Sequence, residues 1–252
     1  MSVSRTAIVT GAGSRRGIGR ATAHRLARAG WNIAVLDVDG TAAEDAAEQI
    51  VGEHGCATLG ICVDITDEPA VDAAITKVEA SLPPVGALVN NAGITSPTPF
   101  LRADTAEWSR IFDVNVTGTY LVTRRVVPGM IERGHGRVVN LSSVSAQRGG
   151  GVFGGVAYST AKAAILGFTK ALARELGPVG VTVNAVAPSL IDTDITGGRL
   201  SEERKAQLIA GVPVGRVGTV ADVAAVIAFL CDDDASYLTG AVYDVNGGSH
   251  LH

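Results

Sequence analysis

The sequence predicts a doubly wound, three-layer α/β fold around a seven-stranded parallel sheet. Seven short β-branched runs, each bounded by turn residues, alternate with helical patterns along the chain. Aliphatic residues are abundant while aromatic residues make up only 4% of the chain, which is typical of a sheet buried on both faces. Right-handed crossovers put helices on both faces of such a sheet, and ligands bind beyond the carboxyl ends of its strands.

The predicted strands cover residues 6–10, 32–37, 58–63, 87–90, 137–141, 181–186 and 242–245. Apolar residues spaced three or four apart predict amphipathic helices between them, notably over residues 108–125, 161–176 and 220–230. No proline-rich linker, charge run or change in composition divides the chain. We therefore expect residues 1–252 to form a single dinucleotide-binding and catalytic domain.

Composition argues against several classes of function. The formal net charge is −4 and no basic stripe is present, so nucleic acid is not an expected partner. The longest apolar stretch, residues 223–231, is far shorter than the roughly 20 residues that span a bilayer. Three cysteines without a C-x-x-C spacing predict neither a disulfide framework nor a metal site. These features, together with the lack of a visible secretion signal, predict a cytoplasmic protein that does not enter a membrane.

A glycine-rich turn joins the first strand to the first helix. Gly11, Gly17 and Gly19 would let backbone N–H groups and the helix N-terminus approach a pyrophosphate. Asp37 ends the second strand, where a carboxylate can accept hydrogen bonds from both adenosine ribose hydroxyls. The same carboxylate would repel a 2′-phosphate, which favours NAD(H) over NADP(H). Arg15 and Arg16 are a competing signal, because either could reach a 2′-phosphate.

Further motifs lie at the ends of later strands. Residues 90–93 read Asn-Asn-Ala-Gly, Asn115 and Ser143 follow, and residues 158–162 read Tyr-Ser-Thr-Ala-Lys. In this order, and with the glycine-rich turn, the chain resembles the short-chain dehydrogenase/reductase family over essentially its whole length. The resemblance implies a Rossmann-like fold, hydride transfer between a small-molecule alcohol and its ketone, and a homotetramer.

The resemblance implies four catalytic residues. Tyr158 and Lys162 stand at positions i and i+4 of one predicted helix, so they share a face. A nearby ammonium and an oxidised nicotinamide would lower the phenol pKa, and Tyr158 would then exchange a proton with the substrate. Ser143 would bind the substrate oxygen and Asn115 would hold a water molecule. Ser143 follows the fifth strand directly and is preferred on that ground to Ser145, although the spacing to Tyr158 is longer than usual for the family.

Two sets of binding residues complete the prediction. The cofactor set, from the motif and the resemblance, is Gly11, Arg16, Gly17, Ile18, Gly19, Asp37, Asp64, Ile65, Asn91, Ala92, Gly93, Tyr158, Lys162, Pro188, Ile191 and Thr193. The substrate set is Ser143, Gln147, Phe153 and Tyr158. Two features depart from the family pattern: the glycine-rich turn is longer than the commonest form, and Pro188 is followed by serine where glycine is usual.

Three readings of the function stay open. An NAD-dependent enzyme for a secondary alcohol, polyol or sugar-type hydroxyl is the main one. The alternative is an NADPH-dependent 3-oxoacyl-[acyl-carrier-protein] reductase, although Gly134 and Val179 occupy the positions where the resemblance would place arginines for an acidic carrier. A catalytically silent dinucleotide-binding regulator is a third reading, and the presence of both Tyr158 and Lys162 argues against it.

Overall fold

Seven strands form one sheet in the computed structural model, which describes residues 5–151, 154–194 and 202–251. The strands are β1 (Thr6–Thr10), β2 (Asn32–Asp37), β3 (Thr58–Cys62), β4 (Val85–Asn90), β5 (Gly136–Leu141), β6 (Val181–Pro188) and β7 (Val242–Val245). Their spatial order is β3-β2-β1-β4-β5-β6-β7, and every neighbouring pair is parallel. The predicted fold class is confirmed.

Four strand boundaries differ from the prediction. β3 ends one residue earlier, while β4 and β5 begin before the predicted residues. The largest difference is at β6, which continues to Pro188 because Ala187 and Pro188 pair with Asp244 and Val245 of β7. A proline is tolerated at the end of a strand because the ladder there lacks only the one N–H donor that proline does not have.

Helices cover both faces of the sheet. They are α1 (Ile18–Arg28), α2 (Gly40–His54), α3 (Glu68–Ser81), α4 (Thr105–Phe112), α5 (Gly118–Glu132), α6 (Val144–Arg148), α7 (Val156–Leu176), α8 (Glu202–Ile209) and α9 (Val220–Cys231). Apolar side chains of α1, α2 and α9 form one core layer, and those of α3, α5 and α7 form the other. Successive strand residues alternate between the layers: Ile8 packs into the second and Val9 into the first. Within the described ranges no helix is long and apolar enough to cross a bilayer.

The helix expected over residues 108–125 is interrupted, so this prediction is wrong in detail. A π-helical turn, Asp113–Thr117, separates α4 from α5. The side chain of Asn115 explains the interruption, because its amide donates hydrogen bonds to the carbonyl oxygens of Ile111 and Ile94, both at 2.9 Å. The Ile111 carbonyl is the ordinary α-helical acceptor for residue 115, and the side chain competes for it.

Gly60 lets β3, at the edge of the sheet, contact the backbone of α2 closely. A Cβ atom at this position would lie 2.6 Å from the carbonyl oxygen of Ala43. We expect Gly60→Ala to lower the free energy of unfolding by about 1–3 kcal/mol, because α2 must move off the sheet. Urea denaturation at a fixed protein concentration measures this change.

Gly52 provides the matched control on α2 itself. It is exposed, and an added Cβ would meet no atom within 4 Å. Gly52→Ala should raise the free energy of unfolding by about 0.5–1 kcal/mol, since alanine loses less backbone entropy in a helix. Equal effects of the two substitutions would contradict the packing argument.

Candidate active site

The main cleft lies at the carboxyl edge of the sheet, where the strand order reverses between β1 and β4. Helices that follow these strands leave to opposite faces, which opens a crevice at this point. The cleft has a volume of about 590 Å³. Of the predicted cofactor residues, those that line it are Gly11, Gly17, Ile18, Asp37, Asp64, Ile65, Asn91, Ala92, Gly93, Tyr158, Lys162, Pro188, Ile191 and Thr193.

Asn91 and Thr10 join the carboxyl ends of β1 and β4. The Asn91 side-chain amide donates to the carbonyl oxygens of Thr10 and Gly11, at 2.9 and 2.8 Å. In return the Thr10 hydroxyl accepts the backbone N–H groups of Asn91 and Ala92, at 3.1 and 3.0 Å. These four hydrogen bonds hold the start of the glycine-rich turn against β4.

Two glycines of the turn are required by close contacts. Gly11 has φ +63°, and a Cβ there would lie 2.7 Å from the Cα of Ala92. Gly19 does not line the cleft, but a Cβ at this position would lie 2.5 Å from the carbonyl oxygen of Gly11. Its role in the fold is therefore to let α1 approach the turn, with the helix N-terminus directed at the cleft.

Asp37 lies beside the glycine-rich turn. Its Oδ2 atom accepts the backbone N–H of Gly13 at 2.8 Å, and its Oδ1 atom accepts that of Asp39 at 3.1 Å. These bonds fix the carboxylate at the end of β2, facing the cleft. The cradle of glycines, a helix N-terminus and a fixed carboxylate fit a dinucleotide, because they offer N–H donors to a pyrophosphate and an acceptor to a ribose.

Asp64 sits one strand further along the same edge. The N-cap of α3 is Asp67, whose side chain accepts the N–H of Ala70. Asp64 therefore does not cap this helix; instead its Oδ1 atom accepts the N–H and the hydroxyl of Thr66, at 2.9 and 2.8 Å. Asp64 lines the cleft, and its predicted contact with a cofactor stays a prediction.

The two arginines of the longer turn are engaged by acidic side chains. Arg15 pairs with Asp45 at 3.1 Å. Arg16 pairs with Asp192 at 2.6 Å, while its backbone N–H donates to Asp194 at 3.3 Å. Arg16 does not line the cleft, so its predicted contact with a cofactor stays a prediction. The turn reaches across to the segment after β6 through these contacts.

Tyr158, Ser143 and Lys162 lie together in the cleft, on the other side of the point where the strand order reverses. Ser143 is the N-cap of α6, its hydroxyl accepts the backbone N–H of Ser145 at 3.1 Å, and it lines the cleft together with Tyr158. Lys162, one turn along α7, has its ammonium nitrogen 5.8 Å from the Tyr158 ring centre. That nitrogen donates to the carbonyl oxygen of Leu141, the last residue of β5, at 2.8 Å. Ser143 and Ser145 both line the cleft, so the preference for Ser143 as the catalytic serine stays a prediction.

Burial dominates the electrostatics of this group. It raises the pKa of the Tyr158 phenol, and the side chain of Ser143 lowers it in part. Burial also lowers the pKa of Lys162 to about 8. The expected lowering of the phenol pKa by Lys162 does not appear in the protein alone, where burial is the larger cause and the pKa is raised.

Asn115 contacts this group from the π-helical turn. Both of its donor hydrogens are used, whereas its Oδ1 atom is buried and has no hydrogen-bond partner in the described structure. A Cβ at Gly93 would lie 2.6 Å from this oxygen and 3.2 Å from the Lys162 nitrogen. A buried acceptor beside a lysine is a suitable anchor for a water molecule.

The substrate set is only partly brought together. Ser143 and Tyr158 line the cleft, whereas Gln147 points away and donates to Asp244 at 2.7 Å. The sequence reading of Gln147 as a pocket wall is not reproduced, because α6 turns it toward β7. Phe153 lies outside the described residues.

Several lining residues were not predicted. They include Ser14 of the glycine-rich turn and Val144, Arg148, Gly151 and Gly154 after β5. Arg148 had a usable signal, since a cation beside a run of glycines after β5 stands close to Ser143 in the chain. The segment from Ser189 to Gly211 was expected to form a wall of the pocket, and its residues Leu190, Asp194 and Leu208 line the cleft.

Known proteins resemble this chain along nearly its full length. The family model described as enoyl-(acyl carrier protein) reductase matches residues 11–250. An uncharacterized short-chain type dehydrogenase/reductase of Sinorhizobium fredii is 46% identical, with 98% of each chain covered. The chain belongs to the short-chain dehydrogenase/reductase family. Other members of the family include the 3-oxoacyl-[acyl-carrier-protein] reductase FabG of Aquifex aeolicus, 44% identical over 94% of each chain, and that of Escherichia coli, 38% identical over 97% of each.

Membership gives the coarse activity. As a short-chain dehydrogenase/reductase, the chain is an oxidoreductase of a family that binds NAD(H) or NADP(H). The predicted resemblance is confirmed. The comparisons cover the whole cleft, since the matched residues include both the glycine-rich turn and the Tyr158–Lys162 group.

The buried ammonium of Lys162 should make stability depend on pH. The pKa is about 8 in the folded protein and higher in the unfolded chain, so below pH 8 the folded protein carries the cost of a buried charge, about 3 kcal/mol. Lys162→Met removes this cost. Relative to the wild type, the variant should therefore gain free energy of unfolding at about pH 7. This gain should be smaller at about pH 10, by up to about 3 kcal/mol.

Urea denaturation of both proteins at the two pH values measures the difference in their free energies of unfolding. The contributions of other titrating groups are common to both proteins and cancel in this difference. Lys170 is exposed on the same helix, so Lys170→Met is the control and should show the same difference at both pH values. A pH-independent difference for Lys162→Met would show that the ammonium is solvated.

Proposed function

We propose that this chain transfers hydride between a nicotinamide dinucleotide, preferably NAD(H), and a secondary alcohol or its ketone. Residues 1–252 would act as one dinucleotide-binding and catalytic domain. The observation that carries the proposal is that Tyr158, Ser143 and the buried Lys162 line the same cleft as the glycine cradle. A bound nicotinamide supplies the hydride chemistry. A homotetramer and a cytoplasmic location remain predictions from the sequence.

Tyr158 is the proposed general acid and base. In oxidation its phenolate oxygen accepts the proton of the substrate hydroxyl, while hydride leaves the carbon that carries this hydroxyl for the nicotinamide. In reduction the phenol returns a proton to the carbonyl oxygen as that carbon receives hydride. Burial favours the neutral phenol, which suits the reduction step. Formation of the phenolate then depends on positive charge brought near it, from the Lys162 ammonium and an oxidised nicotinamide.

Ser143 and Lys162 have positioning roles in this proposal. The Ser143 hydroxyl would donate a hydrogen bond to the substrate oxygen and hold the reacting carbon in place. Lys162 would donate hydrogen bonds to the nicotinamide ribose hydroxyls while keeping its bond to the Leu141 carbonyl. The unpartnered Asn115 oxygen would hold a water that connects Lys162 to solvent and carries the released proton away.

The preference for NAD(H) rests on charge. The fixed carboxylate of Asp37 faces the place where an adenosine ribose would lie, and it would repel a 2′-phosphate. The two arginines that could offset this repulsion are paired with Asp45 and Asp192. NADP(H) is the alternative, and it requires one of these ion pairs to open.

The second candidate function is reduction of 3-oxoacyl thioesters. The names of the relatives from Aquifex aeolicus and Escherichia coli favour it over the main proposal. Arg148 also supports a substrate with an anionic part, because its guanidinium lines the substrate side of the cleft. Against it stand Asp37 and the glycine and valine at positions 134 and 179, where the resemblance would place arginines for an acidic carrier, although Arg133, Lys170 and Arg174 stand nearby in the chain.

Nicotinamide absorbance separates the two candidates. The purified chain is supplied with NAD(H) and NADP(H) in parallel, and with secondary alcohols, polyols, 3-hydroxy acids and 3-oxoacyl thioesters. We expect NAD(H)-linked interconversion of an alcohol and its ketone. Reduction of the thioesters alone, linked to NADPH, would establish the second candidate. Dinucleotide binding without turnover of any substrate would instead favour a silent regulator.

Two neighbouring acids provide variants for the cofactor arm. Asp37→Asn removes the charge at the ribose while keeping a hydrogen-bond acceptor, and we expect the ratio of kcat/KM for NAD(H) to that for NADP(H) to fall at least about tenfold. Asp39 lies outside the cleft lining and caps α2. Asp39→Asn should leave the ratio unchanged, because asparagine caps a helix equally well.

Tyr158→Phe tests the acid and base role. Because the phenol oxygen is the proposed proton carrier, kcat should fall by about 100- to 10,000-fold while the Kd of the dinucleotide changes little. Turnover is measured by absorbance and Kd by titration calorimetry. Tyr237→Phe removes a hydroxyl that is fully exposed and away from the cleft, and it should change neither quantity. Substantial residual turnover in Tyr158→Phe would overturn the role.

A further inference from the structure

A second cluster of chemical groups lies between α1 and α2, outside the main cleft. It contains His24 of α1 and the last two residues of α2, Glu53 and His54. His24 Nδ1 is 3.2 Å from His54 Nε2 and 3.2 Å from Glu53 Oε2, and the remaining side of this triangle, His54 Nε2 to Glu53 Oε2, is 3.8 Å. Three potential metal ligands therefore converge on one point.

The orientation of Glu53 is fixed by a neighbour. Its Oε1 atom accepts the side-chain amide of Gln49 at 2.8 Å, which leaves Oε2 directed at the two imidazoles. The side-chain oxygen Oε1 of Gln49 in turn accepts a hydrogen bond from the guanidinium of Arg20 at 3.0 Å, and Arg20 is buried. Outer hydrogen bonds of this kind hold the ligands of metal sites in position.

The spacing and the chemistry of the cluster agree with zinc. Zinc binds imidazole nitrogen and carboxylate oxygen at about 2.0–2.2 Å, so two ligands at a tetrahedral angle lie roughly 3.3 Å apart. Two sides of the observed triangle are close to this value, and the third is slightly wider. Both imidazoles are half-buried and the Glu53 carboxylate is exposed, and the two histidine nitrogens form a hydrogen bond that zinc would replace.

We propose that His24, Glu53 and His54 form a zinc-binding site with three protein ligands. The fourth position opens into a recess of about 440 Å³ that is also lined by Arg15, Arg25 and Arg28. These positive side chains favour an anion, such as chloride or hydroxide, as the fourth ligand. The carboxyl end of α2 adds a favourable dipole for the cation.

The site would connect the two helices that follow the cofactor strands. α1 begins at the glycine-rich turn and α2 begins after Asp37, so a metal between His24 and the end of α2 would fix their separation. The sequence predicts no metal site, because its cysteines lack the spacing of metal ligands and the two histidines lie 30 residues apart. This site is independent of the proposed hydride transfer, which needs no metal among its named groups.

Zinc binding to the untagged, chelator-treated chain tests the proposal. We expect titration calorimetry with Zn²⁺ to give one ion per chain, and the melting temperature to rise by roughly 5 °C at a free Zn²⁺ concentration about 100-fold above Kd. Gln49→Ala should weaken binding by about 10- to 100-fold through loss of the outer hydrogen bond. Glu53→Gln and His24→Ala should weaken it further.

Matched controls lie outside the cluster. His135 bonds to Arg5 and Asp233 instead, and Cys62 is an exposed thiol, so His135→Ala and Cys62→Ser should leave the zinc stoichiometry and Kd unchanged. Glu53→Gln keeps the shape of the side chain, which separates a lost ligand from a lost fold. Absence of stoichiometric binding in the wild type, or binding that survives in both Glu53→Gln and His24→Ala, would overturn the proposal.

Discussion

The hydrogen bonds between Thr10 and Asn91 are the constraint on which the site depends. They tie the carboxyl ends of β1 and β4 together at the point where the strand order reverses. Because the chain leaves these two strands toward opposite faces, a crevice opens above this pair, with the glycine-rich turn on one side. β5 follows β4 in the sheet and places Ser143 and α7 on the other side. The cofactor half and the catalytic half of the cleft thus share one anchor.

Burial decides the chemistry of the catalytic half. Lys162 is nearly inaccessible, and burial makes its proton easier to lose than that of an exposed lysine, even though the ammonium donates to a backbone carbonyl. Tyr158 is pushed in the opposite chemical direction, toward the protonated phenol. Both shifts remove charge from an apolar environment, which is the general effect of desolvation. A group of this kind responds strongly to a new charge, because little water is present to screen it. This responsiveness is what the proposed hydride transfer requires.

The sequence predicted the layers of the fold and most of the lining of the cleft, for identifiable reasons. β-branched runs and turn residues are local signals, so the strands were found with errors of a few residues only. The π-helical turn at Asn115 could not be seen, because one of the two hydrogen bonds of its side chain goes to Ile94 on a separate segment. Gln147 was placed in the substrate pocket wrongly for the same reason, since its position depends on how α6 packs. The three residues of the His24 cluster can be read in the sequence, but the sequence does not show that the fold brings them together.

The longer glycine-rich turn shows how ion pairs can change the meaning of a charge. In the sequence, Arg15 and Arg16 compete with Asp37 as signals for the cofactor. In the structure, each arginine has an acidic partner outside the cleft lining or at its edge, while Asp37 accepts only backbone N–H groups. A paired guanidinium is partly neutralised, and it must exchange one partner for another to bind a phosphate. The carboxylate needs no such exchange to meet a ribose hydroxyl. The balance of charge that a 2′-phosphate would meet is therefore negative, although the turn itself carries two positive residues.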